Sequence, residues 1–156
     1  MRRTSTARGG KAAERQGGQR RKSSAAASPA LGRALVARLV DGVLRRERRR
    51  AQIAVTFLTP ARMRTLNRDW KGHDTATDVI SFALPAPDGS LLGDVYICPA
   101  VATRSARELG ISPREELTRL VVHGTLHVLG YDHPEGPGRT RSAMWKRQER
   151  YVKALA

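Results

Sequence analysis

His123-Gly124-Thr125-Leu126-His127-Val128-Leu129-Gly130-Tyr131-Asp132-His133 gathers three of the chain's four histidines into eleven residues. The frame that carries them is legible on its N-terminal side. Ser112-Pro113-Arg114-Glu115 reads as a helix start, with Ser at the N-cap, Pro at the first helical position and Glu at the third, so that free amides are satisfied at both ends of a capping box. A helix from there to Gly130 puts His123 and His127 one turn apart on one face, the separation that two ligands of a single metal ion require. Gly130 can take the left-handed conformation that ends a helix, which turns the chain so that His133 comes back toward the same point. Three neutral imidazoles with no fourth protein ligand evident describe an open site for one Zn2+. The remaining position takes water, whose pKa falls to about 7.

The same spacing occurs in the metzincin signature H-E-x-x-H-x-x-G-x-x-H, where the Glu after the first His is the general base for peptide hydrolysis. Here that position is Gly124. A glycine cannot accept a proton, so a peptidase mechanism lacks its base even where the metal geometry is shared.

Upstream, Leu31, Leu35, Val36, Leu39, Val40, Val43 and Leu44 make a helical stripe. It is closed by Arg45, Arg46, Arg48, Arg49 and Arg50, more cations than the helix dipole needs; they read as a phosphate-contacting patch or a solvated helix end. Residues 52–58 alternate in strand fashion, and Pro60 opens a short helix through Leu66. Asp78–Leu84 and Leu91–Cys98 are β-rich and joined by a turn of Pro85, Pro87 and Asp88-Gly89. Pro99 starts a helix that stops at Gly110. Beyond the histidines a last helix, 139–154, buries Met144, Gln148, Tyr151 and Leu155 or their neighbours.

A length of 156 residues suits one domain, and 29 Lys and Arg against 14 Asp and Glu favour a polyanionic partner such as nucleic acid or an anionic membrane surface. The charge is uneven: residues 1–50 hold 15 basic and 3 acidic groups, leaving 14 and 11 for the rest. Residues 1–28 contain no large apolar side chain after Met1 and read as a disordered basic arm ahead of a folded domain at 29–156. The arm is either an RNA tether or a solvated extension. It has no apolar core for a secretory signal, while its Arg- and Ser-rich, acid-poor composition also suits an organelle transit peptide. Cys98 is the single cysteine, which excludes an intrachain disulfide or a CxxC pair and suits a reducing compartment. No run of about 18 apolar residues exists to span a bilayer.

The histidine stretch and two further blocks resemble the YbeY family of metal-dependent single-strand endoribonucleases, which act in ribosomal RNA maturation. The family pattern H-G-x-x-H-x-x-G-Y-D-H is matched without a gap by His123 to His133. Ahead of it stand Leu66-Asn67 through Trp70-Lys71-Gly72-His73-Asp74 to Thr77-Asp78-Val79-Ile80-Ser81-Phe82, and then Leu92-Gly93-Asp94-Val95. The resemblance covers roughly residues 31–155. With the pattern of elements it implies an α+β fold: a small mixed β-sheet of three to four strands packed with about five helices, with a metzincin-like helix and turn at the metal. It also implies a zinc ion on His123, His127 and His133, and phosphodiester cleavage in a groove beside it.

Three departures stand out. Lys71 occupies the place where family members carry an arginine thought to hold the RNA phosphate; it keeps the charge and loses the bidentate fork. Ala76 stands where Pro is common before the Thr-Asp pair. Most relatives begin with a strand ahead of the first helix, where this chain has its Gly/Ser/Arg arm, so the sheet is expected to lose an edge strand.

The expected activity is therefore a zinc-dependent, single-strand-specific endoribonuclease in 16S rRNA 3′-end maturation and ribosome quality control. Its partners would be single-stranded RNA, the small ribosomal subunit and ribosomal proteins, in the cytoplasm or, through the arm, in an organelle. Lys71 would offset charge developing on the phosphoryl group, and Asp132 would orient a ligand or simply make the turn. Asp78 and Asp94 read as strand caps or groove residues, His73 as a surface histidine, and Trp70 and Tyr131 as core aromatics or base-stacking groups. The competing reading is a ribosome-assembly factor with a structural zinc that binds RNA without turnover.

Overall fold

A computed structural model describes residues 30–156, and the proposed arm at 1–28 lies outside the described residues. In chain order the elements are α1 (Arg33–Glu47), β1 (Ala51–Phe57), α2 (Pro60–Lys71), β2 (Val79–Pro85), β3 (Leu91–Ile97), α3 (Pro99–Leu109), α4 (Pro113–Val128), a 3-10 segment (Gly136–Arg141) and α5 (Ala143–Leu155). The sheet is mixed, in the order β1-β3-β2, with β1 parallel and β2 antiparallel to β3. The α+β class is as expected, and among the described residues the strand number is three.

Alternation along β3 sorts the core into two layers. Val95 and Ile97 join α4, α1, α3 and α5 in the main cluster, while Tyr96 turns to the other face. That second face is covered by α2, whose Met63 packs with Ile80 and Cys98. Helix α4 is buried nearly all round, through Leu117, Leu120, Val121, Val122, Leu126 and Val128, as expected of a helix with neighbours on every side. Each such side chain contributes about 1.5–3 kcal/mol of burial, so α4 and what it carries are held by the densest part of the molecule. Two glycines bring α4 unusually close to β3. A Cβ at Gly93 would lie 2.5 Å from Val128 Cγ1, and one at Gly124 would lie 2.4 Å from Val95 Cγ1.

Helix boundaries depart from the sequence expectations for local reasons. α2 continues past Leu66 to Lys71 because Gly72, at φ 73°, is the residue that ends it, returning its N–H to Arg68 O. Within that extension Asn67 is buried and donates to Thr75 O at 2.9 Å, which ties down the following loop. Half of the proposed capping box forms: Ser112 Oγ accepts the Glu115 N–H at 3.1 Å, while the Glu115 carboxylate reaches 3.6 Å from Arg119 instead. The last α-helix starts at Ala143, since Ser142 caps it through the Trp145 N–H and residues 139–141 belong to the 3-10 segment.

Glu47, at the end of α1, locks this frame to the histidine loop. Its buried carboxylate accepts the hydroxyls of Tyr131, at 2.6 Å, and Tyr151, and the Arg147 guanidinium at 2.8 Å. Burial alone would raise its pKa, but these three donors outweigh it and hold the carboxyl below its ordinary range. Among the described residues no helix is long and apolar enough to cross a membrane.

Candidate metal centre

His123 and His127 leave α4 one turn apart, with ring centroids 4.5 Å from each other. The helix ends at Val128, two residues earlier than its glycine suggested; Gly130 follows at φ 96°, and the Tyr131 N–H bonds back to Leu126 O at 3.1 Å. This turn delivers His133, whose ring centroid lies 5.1 Å from each of the other two. Asp132 makes the turn itself, its Oδ1 accepting the His133 backbone N–H at 2.8 Å, and it does not orient an imidazole.

Each ring is also fixed in rotation and tautomer. Nδ1 of His123 faces Gln148 Oε1 at 2.6 Å, Nδ1 of His127 faces Tyr131 O at 2.9 Å, and Nδ1 of His133 faces Pro134 O at 3.1 Å. All three partners are acceptors, so each Nδ1 is the protonated nitrogen and each Nε2 carries the free lone pair. The ligand atoms of the three lie within 4.8 Å of one another, and the Nε2 atoms of His127 and His133 are 3.3 Å apart. Two nitrogens of a tetrahedral zinc site, with Zn–N near 2.0–2.1 Å, stand about 3.3 Å apart, so the donor set fits one divalent ion. Among the described residues no cysteine or carboxylate joins the cluster.

Burial keeps the donors available. His123 is 4% exposed, and desolvation pushes its pKa down to about 3 against the opposing Gln148 hydrogen bond, with the charges of His127, Arg139 and His133 adding to the fall. His127 is lowered in the same direction, by burial first and then by His133. Neutral imidazoles are what a metal requires.

Gln148, fully buried on α5, is part of a longer chain of contacts. Arg119 on α4 forks onto Glu149, with Nε to Oε1 at 2.6 Å and Nη2 to Oε2 at 3.1 Å, and reaches Glu116 at 2.9 Å. Glu149 Oε1 accepts the Gln148 amide N–H at 3.0 Å, which forces the amide oxygen toward His123. We expect Gln148→Leu to fold yet to bind Zn2+ about 10–100-fold more weakly in competition with a chromophoric chelator, because His123 loses the group that orients it. Unchanged zinc affinity in the folded variant would show that Gln148 serves packing alone.

The three histidines open into a cleft of about 980 Å³ that is also lined by Lys71, His73, Asp78, Ser81 and Arg139. Lys71, the candidate phosphate contact, therefore shares a cavity with the histidines despite the 52 positions between Lys71 and His123. His73 is exposed and lines the same cleft. Asp78 lines the cleft while its Oδ1 caps the start of β2 through the Val79 N–H. Asp94 is exposed on β3 and is not among the lining residues. Trp70 is 70% exposed, edge-on to Phe82 at 5.4 Å, and not a core residue; Tyr131 is half-buried. Sequence reasoning missed Gln148 as a site residue, although a glutamine on an otherwise apolar stripe was the available signal, and it missed Arg139, which nothing distinguished from the other arginines.

Comparison with known proteins agrees with this geometry. The family profile described as Endoribonuclease YbeY matches residues 20–156. The endoribonuclease YbeY of Anaeromyxobacter dehalogenans is 46% identical over 101 residues, covering 64% of this chain and 52% of the relative. That of Neisseria meningitidis serogroup B is 42% identical over 99 residues, covering 59% of each. That of Thermotoga sp. strain RQ2 is 32% identical over 116 residues, covering 74% of this chain and 75% of the relative. Against the first two, the chain spans little more than half the relative's length. The solution structure of TM1509 from Thermotoga maritima superposes with a TM-score of 0.57 at 29% identity, covering 82% of this chain and 85% of that one. By profile, by sequence relatives and by fold, the chain belongs to the YbeY family.

Proposed function

We propose that the chain is a single-strand-specific endoribonuclease that uses one Zn2+ held by His123, His127 and His133. The observation that carries this reading is the convergence of three Nε2 donors, with no fourth protein ligand among the described residues, in the lining of a cleft that also contains Lys71. When bound, the ion supplies Lewis acidity to a water or a phosphate oxygen. The residues supply the rest. The histidines position the ion, Lys71 offsets negative charge on the phosphoryl group, and Gly124 leaves no carboxylate where a peptidase keeps its base. The family resemblance supports 16S rRNA 3′-end maturation and ribosome quality control as the task. The partners proposed on that basis are the small ribosomal subunit and its proteins, in the cytoplasm. The basic arm at 1–28 would add phosphate contacts.

The test is incubation of the purified, zinc-loaded protein with a single-stranded rRNA fragment and, separately, with casein, each with and without chelator. RNA is expected to be cut, casein to survive, and chelator to abolish cleavage. RNA left intact by the zinc-loaded protein would refute the catalytic reading and leave RNA binding around a structural zinc.

A further inference from the structure

The cleft has a second cation on its wall that the proposed chemistry leaves unused. Arg139 lies in the 3-10 segment and lines the cleft together with Lys71 and the histidines. It also lines a smaller cavity of about 260 Å³ that shares His123 with the first. Its side chain is steadied by Trp145, whose ring centroid is 5.8 Å from the guanidinium carbon. Arg119 stands 5.9 Å from the same ring, and the contrast between the two is informative. Arg119 is saturated by Glu116 and Glu149, whereas among the described residues Arg139 forms no ion pair, and its Nε is closed off from solvent with no acceptor. That Nε is sealed off, but the outer amino groups of a guanidinium that lines the cleft and forms no ion pair are free to take an acceptor from outside the chain.

We infer that Arg139 is a phosphate-binding residue of the cleft, presenting its guanidinium fork to the non-bridging oxygens of an RNA phosphodiester. The planar fork matches that oxygen pair, as the single ammonium of Lys71 does not. The two cations thus divide the work of one bidentate arginine: Lys71 supplies charge, and Arg139 supplies direction. This assignment rests on the ribonuclease reading for the source of the phosphate.

The experiment measures binding of a fluorescently labelled single-stranded RNA to the full chain, in chelator so that the RNA stays intact, across a range of salt concentrations. Arg139→Gln is expected to weaken binding about tenfold and to lower the slope of log affinity against log salt by about 0.7, the loss of one phosphate contact on a single strand. Arg139→Lys keeps the slope and still binds about threefold more weakly, because charge alone does not replace the fork. Thermal melting of both variants reports that they fold. Wild-type binding with Arg139→Gln equal to it in affinity and slope overturns the role of Arg139 and leaves the nuclease reading standing. A wild-type protein that does not bind RNA in this assay and, zinc-loaded and free of chelator, does not cut it overturns both. Phenylglyoxal modification separates the phosphate sources: protection of Arg139 by RNA, and not by the same concentration of inorganic phosphate, supports the diester assignment, and protection by inorganic phosphate alone overturns it.

Discussion

Replacing His123, His127 and His133 together by alanine is expected to take the native protein from about one bound divalent ion per chain to none. The expectation follows from how the donors are held. Each Nδ1 is occupied by an oxygen acceptor, so each ring offers its Nε2 and has no second way to turn. Binding to the folded state alone also stabilises it, by about 4 kcal/mol when free metal stands a thousandfold above its dissociation constant. For a chain of this size that corresponds to a melting temperature raised on the order of 10 °C. Added Zn2+ should therefore shift wild-type melting by that order and leave the triple variant unmoved. Metal retained in equimolar amount by the triple variant would mean that the ion sits elsewhere, and the open-site chemistry would lose its basis.

Legibility of this site from sequence followed the range of the contacts involved. His123, His127 and the turn at Gly130 are set by helix period and backbone sterics, quantities that act within a few residues, and spacing alone placed them together. Lys71 entered the cleft only through a family resemblance, since nothing local links it to a helix that begins at Pro113. The groups that tune the site were not legible. Gln148 lies 25 positions from His123, and its role depends on Glu149 and Arg119 turning its amide; before folding it was one more member of a buried stripe. Misread boundaries have the same origin. The sequence opens a helix at Pro60 and carries it only through Leu66, but Asn67 found a buried partner in the Thr75 carbonyl and the helix continued to the glycine that could end it.

Gly124 is the residue where sequence and structure explain each other most fully, and its replacement carries the second large expectation. Chemically, its lack of a carboxylate argued against peptide hydrolysis. Sterically, there is no room for one. A Cβ at this position would lie 2.4 Å from Cγ1 and 3.1 Å from Cγ2 of Val95, and 3.1 Å from Ser81 Oγ. Val95 cannot give way easily, because it is fully buried and β-branched, and its backbone is held in the centre of the sheet between Val55 and Ser81. Overpacking of this kind costs about 1–3 kcal/mol, against at most about 1 kcal/mol regained from the better helix propensity of alanine. Gly124→Ala should therefore fold with a melting temperature lowered by several degrees, and Gly124→Glu, with a whole carboxylate to place, should not yield folded protein. The cause is checked by a double-mutant cycle with Val95→Ala: the combined variant should be less destabilised than the two single changes predict, because the cavity opened at Val95 receives the added methyl. Strict additivity, or a Gly124→Ala protein as stable as wild type, would show that α4 and β3 can separate. A gap of that kind would also move His123 and His127, which ride on the same helix, so zinc affinity measured on Gly124→Ala reports how far the metal donors depend on this contact.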